Sequence, residues 1–191
     1  MKFIYLFIVL ITVNTFSQKL KIKEGNLDEL KGVISYNLEF DYHNLEIINY
    51  ASEEVFLKEK VKRKSKVFKT KWFSNRKNIY QPFFESTFNN YFIKKKKITV
   101  SEHNTDAKYT ILVKSLKLYP GYNVTMAWES AKLWAEVVIY KTKHPKQIVF
   151  RSKPIKIYQG YYDMNMGKRI ANAYGVLAQT TAKFLKKKTL R

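Results

Sequence analysis

The sequence contains no cysteine, and that absence removes several kinds of protein at once. A disulfide framework, a thiolate metal site and a cysteine nucleophile are all excluded, as is a lipid-bearing N-terminal Cys after export. Arginine is nearly as scarce: among 36 Lys and Arg residues, only Arg63, Arg76, Arg151, Arg169 and Arg191 are arginine. Arginine carries the planar fork that reads base edges and grips phosphate with two bonds, whereas lysine is a hydrated point charge. The formal charge of +21 therefore suits a diffuse field better than a base-reading surface, and nucleic acid is disfavoured as a partner. Histidine is limited to His43, His103 and His144. No two of these stand at ligand spacing or beside a Glu pair, so the sequence assigns no metal and no cofactor.

Long apolar runs are also missing, with one exception. Lys2 precedes an apolar stretch from Phe3 to Val13, interrupted only by Thr12 and followed by Thr15 and Ser17. This is the pattern of a secretory signal peptide, and the run is short for a bilayer span. Residues 1–17 are read as that leader, cut between Ser17 and Gln18, with an uncleaved anchor as the alternative. Residues 18–31 read as a polar lead-in and residues 32–188 as a single domain. A length of 191 residues, 46% of them hydrophobic, is enough to fill one core and too little for two ordinary domains.

Alternation marks the first strand: Ile34, Tyr36, Leu38, Phe40 and Tyr42 face one way, with Ser35, Asn37, Glu39 and Asp41 between them. Asp41 and His43 would share a face at its end, a spacing that suits a proton relay and equally an ordinary polar strand end. Ser52 then caps a helix whose first turn is acidic, Glu53 and Glu54. Leu57, Val61, Phe68 and Trp72 make a narrow apolar stripe along a strongly basic helix. A second helical segment begins near Ser74 or Asn75 and carries Tyr80, Phe84, Phe88 and Tyr91 on one side, with Pro82 at its first turn or at a kink. From Lys58 to Lys97 there are 14 basic residues against 2 acidic ones. The residues assigned to anionic-surface binding are Lys58, Lys62, Arg63, Lys64, Lys66, Lys69, Lys71, Lys94, Lys95, Lys96 and Lys97. A chain rich in Lys, Ile, Asn, Tyr and Phe together is also what a biased genome produces, so charge alone does not name the partner.

After a short strand at Ile98 to Val100, His103 lies in a polar loop. Tyr109 to Leu118 reads as a central strand and Ala131 to Tyr140 as a half-buried one. Ile148 to Arg151 and Ile155 to Tyr158 read as a third strand broken at Pro154, all antiparallel because the connections are too short for crossovers. Pro120-Gly121 is a turn, and Asn123-Val124-Thr125 a glycosylation sequon in form. A Tyr- and Met-bearing loop, Gly160 to Gly167, leads into a closing amphipathic helix with Ile170, Tyr174, Leu177, Thr181 and Phe184 inward and Ala173 and Ala178 permitting close approach.

Phe40-Asp41-Tyr42, Ser52-Glu53-Glu54-x-Phe56, Pro120-Gly121-Tyr122-Asn123 and Arg169-Ile170-x-x-Ala173-Tyr174 together resemble a family of secreted proteins of Bacteroidota with no characterised activity. In element order the chain is similar to envelope α/β domains of the TolB N-terminal and CsgG-like kinds. The resemblance implies an exported envelope protein and transfers no catalytic residue; the missing lipobox Cys departs from the lipoprotein relatives. The fold expected is α+β, a mixed, mostly antiparallel sheet with helices on one face, in the order β-α-α-β-β-β-β-α. The function expected is non-enzymatic: a periplasmic or outer-membrane-associated protein whose basic surface meets an anionic membrane surface or an envelope protein. A hydrolase-like enzyme is the alternative, with Asp41, His43 and His103 its only candidate groups, and a nucleic-acid binder is the alternative if the protein is not exported.

Overall fold

Two long strands hold the centre of the molecule. In the computed structural model, which describes residues 18–93, 98–124, 126–158 and 163–190, β5 (Tyr109–Tyr119) and β8 (Lys132–Lys141) pair antiparallel along almost their whole length. The leader, Lys94 to Lys97 and the loop tyrosines Tyr161 and Tyr162 fall outside the described residues. Tyr109, Ile111 and Val113 of β5 and Leu133, Ala135, Val137 and Ile139 of β8 are fully buried. β-Branched and aromatic side chains on one pleated face therefore form the floor of the core.

Each central strand has a partner broken in two. Alongside β5 run β2 (Ser35–Asp41) and then β3 (Glu46–Ile47), both parallel to it. Alongside β8 run β9 (His144–Ser152) and then β10 (Ile155–Tyr158), both antiparallel. Pro154 breaks the second pair, since proline cannot donate to the ladder. Asp41 breaks the first: its Oδ1 accepts the His43 backbone N–H at 2.7 Å, and Asn44 follows with φ 60°, a conformation asparagine tolerates better than most residues. β4 (Thr99–Ser101) extends the sheet beyond β2 in parallel.

The expected lead-in, residues 18–31, belongs to the fold instead. β1 (Ile22–Gly25) pairs with β9, and Leu20, Leu27 and Leu30 are buried in the main core. Its polar appearance arises because all four residues of this edge strand are exposed. Gly25 is required there, with φ 96° and an added Cβ landing 2.1 Å from the Val149 carbonyl oxygen.

The parallel relation of β2 to β4 and β5 needs a crossover, and the helices supply it. The single basic helix expected after Ser52 is two: α1 (Glu53–Arg63) and α2 (Val67–Asn75), separated at Lys64 to Lys66. Ser52 does cap α1, its Oγ accepting from Val55 N at 3.2 Å. Three cations around Ser65 repel one another and offer the backbone no apolar anchor there, so the chain turns. α2 then passes without a gap through a π-helical stretch, Arg76–Tyr80, into α3 (Gln81–Asn90), with Pro82 in the first turn of α3. α4 (Met166–Thr189) packs against α3 and lies on β8 and β10.

The aromatic stripe of α3 and the inner face of α4 meet the sheet as a core. Tyr80 stacks on Tyr174 with centroids 5.5 Å apart, and Phe84 meets Phe40 edge-on at 5.5 Å. Such pairs add about 0.5–1.5 kcal/mol beyond the area they bury. Gly175, more than the alanines, sets the α3–α4 approach, because a Cβ there would stand 2.6 Å from Phe83 Cε1. Leu185 rather than Phe184 takes the fully buried position near the end of α4, and Phe184 lies half-buried against Phe150 at 5.1 Å. Ile34, expected inward, is exposed because β2 starts only at Ser35. A separate two-stranded hairpin, β6 (Tyr122–Val124) and β7 (Ala127–Glu129), stands off the main sheet between β5 and β8.

Candidate functional site

The groups available to an enzyme do not converge. Asp41 spends one carboxylate oxygen on the His43 backbone and holds Lys114 with the other at 3.7 Å, while the His43 side chain is exposed. His103 lines a groove with Glu85, Glu102 and Lys77, and neither Asp41 nor His43 borders it. Burial, and after it the neighbouring Glu85, holds the Glu102 carboxyl above its ordinary range. Ser86 in the same groove donates to the Phe83 carbonyl at 3.2 Å. Among the described residues no three His, Cys, Asp or Glu side chains are grouped to hold a metal.

The basic segment does form a surface. Lys58, Lys62, Arg63, Lys64, Lys66, Lys69 and Lys71 are all exposed on α1, α2 and the corner between them. Some are neutralised locally: Lys58 pairs with Glu54 at 2.9 Å, and Arg63 with Glu59 at 3.5 Å. Lys62, Lys66 and Lys71 make no ion pair with any described residue. The Glu54 carboxyl is held below its ordinary range by Lys58 and, more weakly, by Lys69.

A rigid aromatic cluster backs the corner. Phe56 contacts Tyr50, Phe68 and Trp72 at centroid distances of 5.0, 6.0 and 4.8 Å. The Trp72 indole N–H donates to Glu53 Oε1 at 2.6 Å, and the same carboxylate pairs with Arg76. Arg76 in turn lies over the Tyr42 ring at 4.5 Å. Glu53 thus ties the start of α1 to the end of α2, which fixes the angle at which the two basic helices meet. Burial pushes the hydroxyls of Tyr42 and Tyr80 well above the usual range and leaves both as acceptor-poor core groups rather than acids.

Between this corner and the β6–β7 hairpin runs a cleft of about 560 Å³. Lys60 and Lys64 border it from the helices, their ammonium groups 5.5 Å above Phe56 and 5.7 Å above Phe68. Tyr119, Tyr122 and Val124 border it opposite, with Met164 and Arg169. Arg169 is buried, and backbone oxygens surround its guanidinium: Nη1 donates to Asp163 O at 2.9 Å and to Met164 O at 3.0 Å, and Nε to Pro120 O at 3.3 Å. Two motifs far apart in sequence, Pro120-Gly121 and Arg169-Ile170, are therefore joined in space. Gly121 is needed at that junction, with φ 69° and an added Cβ 2.2 Å from the Glu129 carbonyl oxygen. Tyr119 donates to Glu129 at 2.6 Å, and burial first and that carboxylate second push its hydroxyl up to about 12.

Sequence reasoning missed Lys60, Arg169 and the hairpin. For the hairpin a signal existed: Tyr122, Val124, Met126 and Trp128 recur at every second residue, the period of a strand. Aromatic walls with ammonium groups at the rim can receive an anionic group, and the Tyr50 hydroxyl in the same lining donates to Glu59 at 3.3 Å.

No protein-family model and no curated protein matches this sequence. Among solved structures the chain is similar to the PelC dodecamer from Paraburkholderia phytofirmans, with a TM-score of 0.41 and 8% identity over 91% of this chain and 99% of that one. A point variant of the same dodecamer aligns over the same shares with a TM-score of 0.39 and 7% identity. At that distance the likeness bears on neither function nor assembly, and the class that stands is an α+β domain with a mixed, mostly antiparallel sheet.

Proposed function

We propose that this protein is a non-enzymatic component of the cell envelope, exported and then periplasmic or outer-membrane associated, whose α1–α2 corner binds an anionic membrane surface. The observation that carries this reading is the corner itself: a set of exposed cations that outnumber their carboxylates, held at a fixed angle by the Glu53 contacts to Trp72 and Arg76. Each Lys or Arg brought near such a surface contributes about 1 kcal/mol, and the attraction is screened within a Debye length. The leader pattern and the resemblance to exported Bacteroidota proteins favour the same placement. No helix among the described residues is long and apolar enough to cross a membrane.

The test is co-sedimentation with vesicles of phosphatidylcholine alone and of phosphatidylcholine with phosphatidylglycerol. Association is expected with the anionic vesicles only, weakening steeply as salt rises. Binding that ignores both lipid charge and salt would remove the reading.

A further inference from the structure

Between Leu118 and Trp128 the chain carries no charged residue, in a protein where 27% of residues are charged. This uncharged stretch contains most of the β6–β7 hairpin, and its apolar side chains face outward. Met126 is 97% exposed, Val124 60%, Trp128 49% and Tyr122 43%, and Met164 beside them is 76% exposed. Single exposed apolar residues are ordinary, but a group at the tip of one projecting element marks a contact surface.

The hairpin is built to keep that tip in place. Two strands alone are marginal in water, and here the base is fastened on both sides. Glu129 holds Tyr119 and Lys132, and Arg169 grips the carbonyls of Pro120 and Gly121 that lead into β6. Every named fastening lies at the foot, and Tyr122, Val124 and Met126 stand exposed beyond it.

We infer that the β6–β7 hairpin is an apolar wedge that enters the interfacial layer of a lipid bilayer while the α1–α2 corner lies on the headgroups. This deepens the envelope reading above and rests on it. Lipid is favoured over a protein partner by what adjoins the tip. Lys60 and Lys64 border the same cleft as Tyr122 and Val124, so apolar and cationic surface are presented side by side, the combination that binds an anionic interface. Tyr and Trp are the side chains that settle at headgroup depth, with an apolar body and a polar tip.

The experiment uses the full chain as recovered after export, with phosphatidylcholine–phosphatidylglycerol vesicles whose acyl chains are brominated. Bromine quenches only tryptophan that reaches the acyl region. Wild-type fluorescence is expected to be quenched, and Trp128→Phe to lose most of that quenching, because Trp72 is buried and Trp134 lies on the sheet. Met126→Ser, at a side chain almost wholly in solvent, is expected to weaken association about tenfold without altering the fold or the salt dependence. Salt-sensitive binding to anionic vesicles with no lipid-dependent quenching would overturn the wedge and leave the envelope reading standing. Absence of any vesicle association would overturn both. A Met126-dependent dimer in solution with no quenching would assign the tip to a second copy of the chain and likewise overturn the wedge.

Discussion

Cations occur in two settings on this molecule, and their surroundings differ. On the sheet face turned away from the helices, Lys114 meets Asp41 at 3.7 Å, Lys23 and Arg151 meet Glu136 at 3.7 and 3.5 Å, and Arg151 also meets Glu24 at 2.6 Å. Tyr140 donates to Glu39 at 2.6 Å on the same face. That surface is a lattice of alternating sign. Cross-strand neighbours stand close enough that a like charge directly opposite is costly, so each of these cations sits beside a carboxylate, while Lys156 lies over the Trp134 and Tyr158 rings. At the α1–α2 corner the basic side chains are exposed, and Lys62, Lys66 and Lys71 make no ion pair with any described residue. A formal charge of +21 therefore says little about any one place on the surface. The excess collects where geometry lets it go unanswered.

The largest effect is expected where the corner is anchored. Glu53→Gln removes the carboxylate that holds both the Trp72 indole and Arg76, whose side chain is 17% exposed. Leaving that guanidinium without its partner should cost about 3 kcal/mol, read as a lower urea midpoint at unchanged slope. A loss below about 1 kcal/mol would show that the two basic helices are not fixed in angle by this contact, and the contrast with the sheet face would blur. On the sheet face the matching change is Glu136→Gln. Glu136 is buried and serves Lys23 and Arg151, yet Arg151 keeps Glu24, so a loss of about 1–2 kcal/mol is expected. A neutral outcome would mean the lattice of ion pairs is decorative.

Much of this fold can be read from residues. Period-two alternation placed β2 and β8; apolar residues on both faces placed β5 as a central strand; the Ser52-Glu53-Glu54 start placed α1; and the spacing from Ile170 to Thr181 placed the inner face of α4. What could not be read depends on contacts between distant segments. β1 looks like a polar tail because an edge strand with all residues exposed has no hydrophobic period to show. The parallel pairing of β2 with β4 and β5 follows from where three helices deliver the chain, which no local pattern encodes. The basic residues were legible as a run, but their division into answered and unanswered charges required the fold. Phe40, Tyr42 and Tyr174, quoted from separate motifs, turn out to share one aromatic cluster, with Phe40 6.4 Å from Tyr42 and Tyr174 6.4 Å from each. Arg169 illustrates the limit most sharply: an arginine in the first turn of a helix reads as solvent-facing, and only the return of the Pro120–Gly121 turn makes it a buried clamp.

The smallest expected effect is also the one that separates structural from functional charge. Lys62→Ala with Lys66→Ala removes two exposed ammonium groups that have no ion pair among the described residues, from a corner where Arg63 and Lys64 lie between them. Loss of a supporting interaction would lower stability, whereas relief of like-charge repulsion would raise it slightly, and surface changes of this kind usually stay within about 0.5 kcal/mol. The double variant should therefore melt with the wild type, or a little above it, while its association with anionic vesicles falls and its dependence on salt becomes shallower. A destabilisation above about 1 kcal/mol would mean that these lysines are braced against something in the fold, and the corner would then belong with the sheet face, as charge that holds the molecule together. Unchanged vesicle binding at unchanged stability would instead move the lipid-facing charge elsewhere and leave the corner a product of composition.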